Sequence, residues 1–269
     1  MAIVLDARDL NKRFGAVTAA VNINAAIERD SVVGLIGTNG AGKTTFINLI
    51  TGYVKPDSGS IHYEGRDITA LPPREVTRIG ICRSFQIPQL YKSLSVFENM
   101  MMGLGMVLRN AGLGGFFSRG QPNVPGHDAP AEDVAERILA RFGIADYRDK
   151  NAQALPGGAR KLLDIALAMI ARPRILLLDE PTSGVSAEEK FSMMEMVMAA
   201  VKAEGATVLF VDHDMEVVSR FAHRVLAFYD GRIIADAAPE IVLKDPAVNR
   251  YVVGGELARL GEQKDAAHA

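Results

Sequence analysis

Two stretches of the chain hold residues whose types and spacing could do chemistry on a nucleotide. Gly37-Thr38-Asn39-Gly40-Ala41-Gly42-Lys43-Thr44, followed by Thr45, fits the pattern G-x-x-x-x-G-K-[ST]. Glycines let a main chain curl closely round phosphate groups, and the N-terminus of a following helix favours negative charge. In such a loop Lys43 reaches the β- and γ-phosphates, and the Thr44 hydroxyl suits Mg²⁺. The second stretch is Leu176-Leu177-Leu178-Asp179-Glu180. An acid at the carboxyl end of a buried parallel strand stands where α/β sheets place their ligands. Asp179 is suited to hold Mg²⁺ through water, and Glu180 to polarise an attacking water as a general base. Each stretch has a plain alternative, a glycine-rich linker for the first and an ordinary strand end for the second. The elements around them decide.

Those elements are legible. Val32 to Ile36 is a short apolar run ended by Gly37, as expected of a strand buried on both faces. After Gly42, the spacing of Phe46, Ile47, Leu49 and Ile50 predicts a helix that stops at Gly52. Lys55 to Gly59 is turn chemistry, followed by a strand over Ser60 to Tyr63. From about Pro88 to Pro173 the character changes. Methionines stand at 100, 101, 102 and 106, and a stretch rich in glycine and proline from Gly112 to Pro130 reads as a loop. Ala131 to Phe142 predicts an amphipathic helix with Val134, Ile138 and Leu139 on one face. Strands are expected at Arg174 to Asp179, Thr207 to Asp212, Val225 to Tyr229 and Arg232 to Asp236, with helices from Ala187 and from Asp214. Alternation of this kind implies an α/β protein with a parallel sheet flanked by helices. The expected organisation is a core over 1–87 and 174–237, a helical subdomain inserted at 88–173, and a helical extension with a loose tail over 238–269.

The bulk composition narrows the classes. The 269 residues suffice for one large domain with an inserted subdomain, and the 48% hydrophobic and 23% charged content can bury a sizeable core. A net charge of −2 gives no electrostatic footprint for nucleic acid. Cys82 is the single cysteine, so no intramolecular disulfide forms, and its neighbours Ile79 and Ile81 suggest a small buried apolar role. The start MAIVLDARDL lacks the basic and apolar regions of a secretory signal. No run approaches the ~20 apolar residues needed to cross a bilayer.

Between the two chemical stretches lies Leu155-Pro156-Gly157-Gly158-Ala159-Arg160-Lys161, followed by Leu163, Ile165, Ala166, Ala168 and Met169 at helical positions. It resembles the signature L-S-G-G-Q of the ABC-type ATPases, which that family places shortly before the acid strand. Gln86, in Arg83-Ser84-Phe85-Gln86, falls at the family's Q-loop, and His213, in Val211-Asp212-His213-Asp214, at its switch histidine. Phe14 falls where an aromatic stacks on adenine. The order of motifs matches the family over nearly the whole chain. The resemblance implies a P-loop NTPase core with an antiparallel β portion and an inserted helical subdomain. It also implies ATP as the nucleotide, bound by Phe14, residues 38 to 45, Gln86, Gly157 and Gly158. Mg²⁺ would be held by Thr44, Gln86 and Asp179, and hydrolysis would rest on Glu180, His213 and Lys43. Two such chains would close head to tail round two Mg-ATP.

Local stretches narrow the resemblance. Arg83 to Gln86, Leu94-Ser95-Val96-Phe97-Glu98-Asn99, Asp212 to Glu216, Gly114-Gly115-Phe116-Phe117 and Asn249 to Gly254 are similar to the branch that imports branched-chain amino acids. That branch implies a second, different ATPase chain, two transmembrane permease chains and, indirectly, a periplasmic solute-binding protein. It implies a peripheral place on the cytoplasmic face of the inner membrane and no nucleic-acid partner. The rival readings are an ATPase of lipopolysaccharide export, which uses two identical chains, and a non-transport ABC ATPase. Two departures stand out: Pro156 where the family has Ser, and Ala159 where it has Gln. Proline has neither hydroxyl nor N–H, and the loss of one charge-assisted hydrogen bond costs roughly 1.5–3 kcal/mol. Ser186 also stands where Asp or Asn is usual.

Overall fold

In a computed structural model the described residues are 2–84, 90–112 and 123–254. They form two compact units, residues 2–79 with 207–254, and residues 80–206.

The first unit opens with two long antiparallel strands, β1 (Ile3–Phe14) and β2 (Val17–Glu28). Their inward positions, including Leu5, Ala7, Leu10, Ala20, Ile23, Ala25 and Ile27, are buried. Strand β3 (Val32–Gly37) follows, then helix α1 (Lys43–Ile50), β4 (Ser58–Tyr63), β5 (Arg66–Asp67) and α2 (Pro73–Arg78). An antiparallel sheet runs in the order β2-β1-β4-β5. Helix α1 forms because its apolar residues share one face: Phe46, Ile47, Leu49 and Ile50 are all buried.

The unit 80–206 is mainly helical and contains β6 (Ile81–Arg83), α3 (Val96–Asn110), α4 (Ala131–Arg141), α5 (Gly157–Met169), β7 (Ile175–Asp179) and α6 (Lys190–Ala203). Strands β6 and β7 run parallel, with Cys82 opposite Leu176 and Arg83 opposite Leu177. Helix α3 begins with a capping box: Glu98 N donates to Ser95 Oγ at 3.1 Å, and Ser95 N donates to Glu98 Oε2 at 2.7 Å. Met100 is buried on its inner face, whereas Met102 and Met106, four residues apart, stand exposed. Val134, Ile138 and Leu139 of α4 are buried together, as their spacing requires. Helix α6 starts three residues later than the hydrophobic pattern suggests. Glu189 N donates to Ser186 O at 3.1 Å and to Ser186 Oγ at 3.3 Å, so the preceding segment is a turn closed on Ser186. The residues Gly114 to Phe117 and Gln86 lie outside the described set.

The chain then returns to the first unit with β8 (Thr207–Val211), α7 (Met215–Phe221), β9 (Arg224–Tyr229), β10 (Arg232–Ala237) and the short helices α8 (Pro239–Val242) and α9 (Pro246–Val248). Strand β3 lies between β8 and β9, parallel to both, and β10 closes on β9 antiparallel. The middle strands are apolar along their length: Val208 to Val211 and Val225 to Phe228 are all buried. Phe46 of α1 packs on Phe228 of β9 with ring centroids 5.6 Å apart. The helix that follows the glycine-rich loop is therefore anchored to the strand beside β3.

Candidate functional site

Strand β3 delivers the glycine-rich loop from the centre of a parallel sheet. Gly37 is its last residue, and a Cβ there would strike the carbonyl oxygen of Phe228. Gly42 has φ 108° and lies so close to β2 that a Cβ would sit 2.8 Å from Ala19 O. Ala41 N donates to Thr38 O at 3.1 Å, and the first helical bond, from Phe46 N to Gly42 O, is 2.8 Å. The amides ahead of that bond precede the helical ladder, which makes this end of α1 a place for anions. Lys43 is buried, and its Nζ donates back to Gly37 O and, at 3.0 Å, to Thr38 O. Its ammonium is thus held across the mouth of the loop. Asn39, Gly40 and Thr44 are exposed, while Thr38 and Thr45 are half-buried.

A second element braces this loop. The Asp230-Gly231 turn between β9 and β10 has both residues at positive φ, 47° and 72°. Gly231 N donates to Ala41 O at 3.0 Å, and Gly231 O accepts from Val21 N at 2.8 Å. One glycine so ties the loop to β2.

His213 leaves the sheet at the same edge. In the parallel β3–β8 pair Leu35 lies opposite Val211, so Gly37 and His213 each stand two residues beyond matched positions. Asp214 Oδ1 accepts from Glu216 N at 3.0 Å and Val217 N at 3.3 Å, and so caps α7. Asp212 Oδ1 accepts from Asp214 N at 3.0 Å. These bonds fix the turn that carries the half-buried His213. Phe14, at the end of β1, is 49% exposed, with Lys12 Nζ 5.6 Å from its ring centroid. A large aromatic left this open has a face to offer a flat partner.

In the other unit the acid pair closes β7. Asp179 is buried at the strand end, and Arg83 Nη2 donates to its Oδ2 at 2.5 Å. Lys161 of α5, itself buried, donates from Nζ to the main-chain oxygen of Asp179 at 3.1 Å. Glu180 follows at φ 47°, a left-handed conformation that costs a non-glycine residue of order 1 kcal/mol or more. On the neighbouring strand β6, opposite Leu176, Cys82 is buried, and desolvation pushes its thiol up to about 12.

The glycines of Leu155 to Ala159 open α5. Pro156 occupies the N-cap position with no side-chain cap, so Gly157 and Gly158 provide the first-turn amides. Gly157 is pressed against the loop after the acid strand: a Cβ would lie 2.9 Å from Gly184 O. The signature turn and the Ser183-Gly184 turn are therefore neighbours within this unit, and Ala159 is buried on the inner face of α5. Gln86 falls outside the described residues.

With this geometry in place, the kinship is clear. A family model described as ABC transporter matches residues 20–183. The chain belongs to the ABC transporter ATPase family. The probable branched-chain amino acid transport ATP-binding protein LivG of Archaeoglobus fulgidus is 34% identical over 256 residues, covering 94% of this chain and 96% of that one. The high-affinity branched-chain amino acid transport ATP-binding protein BraF of Pseudomonas aeruginosa is 32% identical over 251 residues, 93% of this chain and 98% of that one. Among solved structures, an ATP-binding cassette of an ABC transporter superposes with TM-score 0.80 at 30% identity, covering 93% of this chain and 99% of that chain. The ADP conformation of such a cassette superposes with TM-score 0.78 at 29% identity, covering 93% and 98%.

The cassette is thus a P-loop NTPase that binds and hydrolyses ATP in the setting of a transporter. Among the described residues no helix is long and apolar enough to cross a membrane. Sequence reasoning missed three residues that shape the site: Gly231, Arg83 and Lys161. An Asp-Gly pair between two strands does announce a turn, but nothing in it tells which loop the turn will brace. Arg83 and Lys161 stand inside quoted motifs, but neither motif tells that they reach the acid strand; only the β6–β7 pairing and the burial of α5 bring them to Asp179.

Proposed function

We propose that this cassette is the motor subunit of an importer for branched-chain amino acids or related small solutes. The observation that carries this reading is the similarity, over 93–94% of the chain, to proteins named for that transport. In this reading the cassette works head to tail with a second, different ATPase chain and with two permease chains. A periplasmic solute-binding protein acts through the permeases, and the cassette sits peripherally on the cytoplasmic face of the membrane. The exposed Met102 and Met106 of α3 offer adaptable apolar contacts for such a partner.

Within each cassette we assign Glu180 as general base, and His213 and Lys43 as stabilisers of the transferring phosphoryl group. Phe14 stacks on adenine, and residues 38 to 45 wrap the phosphates. Mg²⁺ supplies charge neutralisation of the phosphates, and Thr44, Gln86 and Asp179 would hold it. The Thr44 hydroxyl and the Asp179 carboxylate at the end of β7 are the hard oxygen donors this ion takes. Gly157 and Gly158 present amides to the γ-phosphate of the opposite chain. Because Pro156 lacks hydroxyl and N–H, the nucleotide on this chain's own P-loop, which meets the partner's signature, is the faster one hydrolysed.

The test is light scattering on purified Glu180→Gln at tens of micromolar, with and without Mg-ATP. A chain that binds ATP and stays monomeric until a second, different cassette is added supports the reading. A stable ATP-dependent homodimer overturns the two-chain assignment and points to the export-type arrangement. Solute identity is then checked by uptake of labelled leucine into vesicles holding the reconstituted complex.

A further inference from the structure

Asp179 is already matched by a cation. Strands β6 and β7 run parallel, and Ser84 N donates to Leu177 O at 2.9 Å, which locks Arg83 beside the end of β7. Its Nη2 stands 2.5 Å from Asp179 Oδ2, with side chains 10% and 8% exposed. An ionised carboxylate this dry needs a positive partner. A guanidinium in contact and a divalent ion repel each other, so one cation at Asp179 weakens the other. Lys161, also buried, donates to the main-chain oxygen of the same residue at 3.1 Å and adds to the positive charge around the carboxylate.

We propose that Arg83 competes with Mg²⁺ for Asp179, and so sets the magnesium concentration at which the nucleotide site loads. Arg83 is in this sense a positioning residue that acts through Asp179. It keeps the buried carboxylate satisfied in the nucleotide-free cassette and yields it when the ion arrives. The inference rests on the assignment of Asp179 to magnesium.

The test is a titration with free Mg²⁺ of fluorescent ATP-analogue binding to the full chain in the Glu180→Gln background, so that hydrolysis does not enter. With Arg83→Met the Mg²⁺ midpoint, referred to that variant's own analogue binding in excess chelator, is expected to fall about tenfold. Arg83→Lys, which keeps a cation but loses the planar fork, is expected to fall between the two and to fold if the Met variant does not. An unchanged or raised midpoint in both variants overturns the competition and leaves Arg83 a purely structural partner. Asp179→Asn separates the two failures. If it leaves the Mg²⁺ dependence intact, the assignment of Asp179 fails. If it abolishes that dependence while the Arg83 variants do not move it, only the role of Arg83 fails.

Discussion

The glycine-rich loop at Lys43 and the signature turn at Gly157 both end in a helix N-terminus, yet they are built by different means. The first is held by neighbours distant in sequence: Phe228 closes on Gly37, Ala19 on Gly42, and Gly231 bonds to Ala41. Its lysine is folded back onto its own carbonyls. The second rests on a neighbouring turn, with Gly184 against Gly157, and its N-cap is a proline that caps nothing. A loop fixed on several sides is preorganised for a ligand it binds alone. A turn supported from one neighbouring loop, by Gly184 and Val185, and lacking a donor suits a surface completed by another molecule. The contrast teaches that one helix N-terminus can be fixed by contacts distant in sequence and another by a neighbouring turn alone.

The contrast can be broken or sharpened by substitution. The largest effect is expected from Glu180→Gln, which should lower hydrolysis by ~10²–10⁴-fold and leave ATP binding intact in a filter or fluorescence assay. Equal loss of binding would show that the strained position serves structure. Next, Gly42→Ala and Gly157→Ala should separate the two regions. The first meets backbone oxygen and a φ that alanine avoids, so ATP binding in the isolated chain should weaken by at least ~10-fold. The second should leave that binding alone and weaken ATP-dependent pairing with the second cassette by ~10-fold. Similar behaviour of both variants in isolated-chain binding would remove the distinction.

A smaller effect is expected from Pro156→Ser, which restores a hydroxyl and an N–H. Hydrolysis by the assembled pair should rise by up to ~10-fold, with the gain confined to nucleotide on the partner's P-loop. No gain would mean that Gly157 and Gly158 already suffice. Phe14→Ala should weaken ATP binding by only ~2–10-fold and shift preference among nucleotide bases more than affinity for triphosphate. The smallest signal is at Cys82. Burial keeps its thiol neutral, with the value pushed up to about 12, so the folded chain at pH 8 should resist alkylation that proceeds once denaturant is added. The sign for stability follows from proton uptake. Above the unfolded value near 9 the unfolded chain loses a proton that the folded one retains, so stability falls as pH rises from there towards 12.

Much of this was legible in one dimension because the chemistry needs fixed spacing along the chain. The eight residues from Gly37 to Thr44 announced phosphate binding, the run Leu176 to Glu180 announced a strand-end acid pair, and alternation of strand and helix gave a parallel sheet. Each is a local pattern: a loop whose glycines wrap a ligand, a strand whose burial needs unbroken apolar residues, a helix whose face repeats every three or four positions. Helix α6 begins at Lys190 and not at Ala187 because the residues between form a turn on the Ser186 carbonyl and hydroxyl, which hydrophobic spacing does not record.

What only the tertiary structure decided is which distant groups share an environment. Asp230-Gly231 lies 190 residues after Ala41, the residue it braces, and Arg83 meets Asp179 only because β6 and β7 pair in parallel. Lys161 stands in the signature stretch with no partner legible there, yet α5 turns it inward to the main chain of Asp179. Spacing encodes contacts made within a turn of chain. Contacts across the sheet depend on strand order and register, which arise from the burial of all the strands at once and are written at no single position.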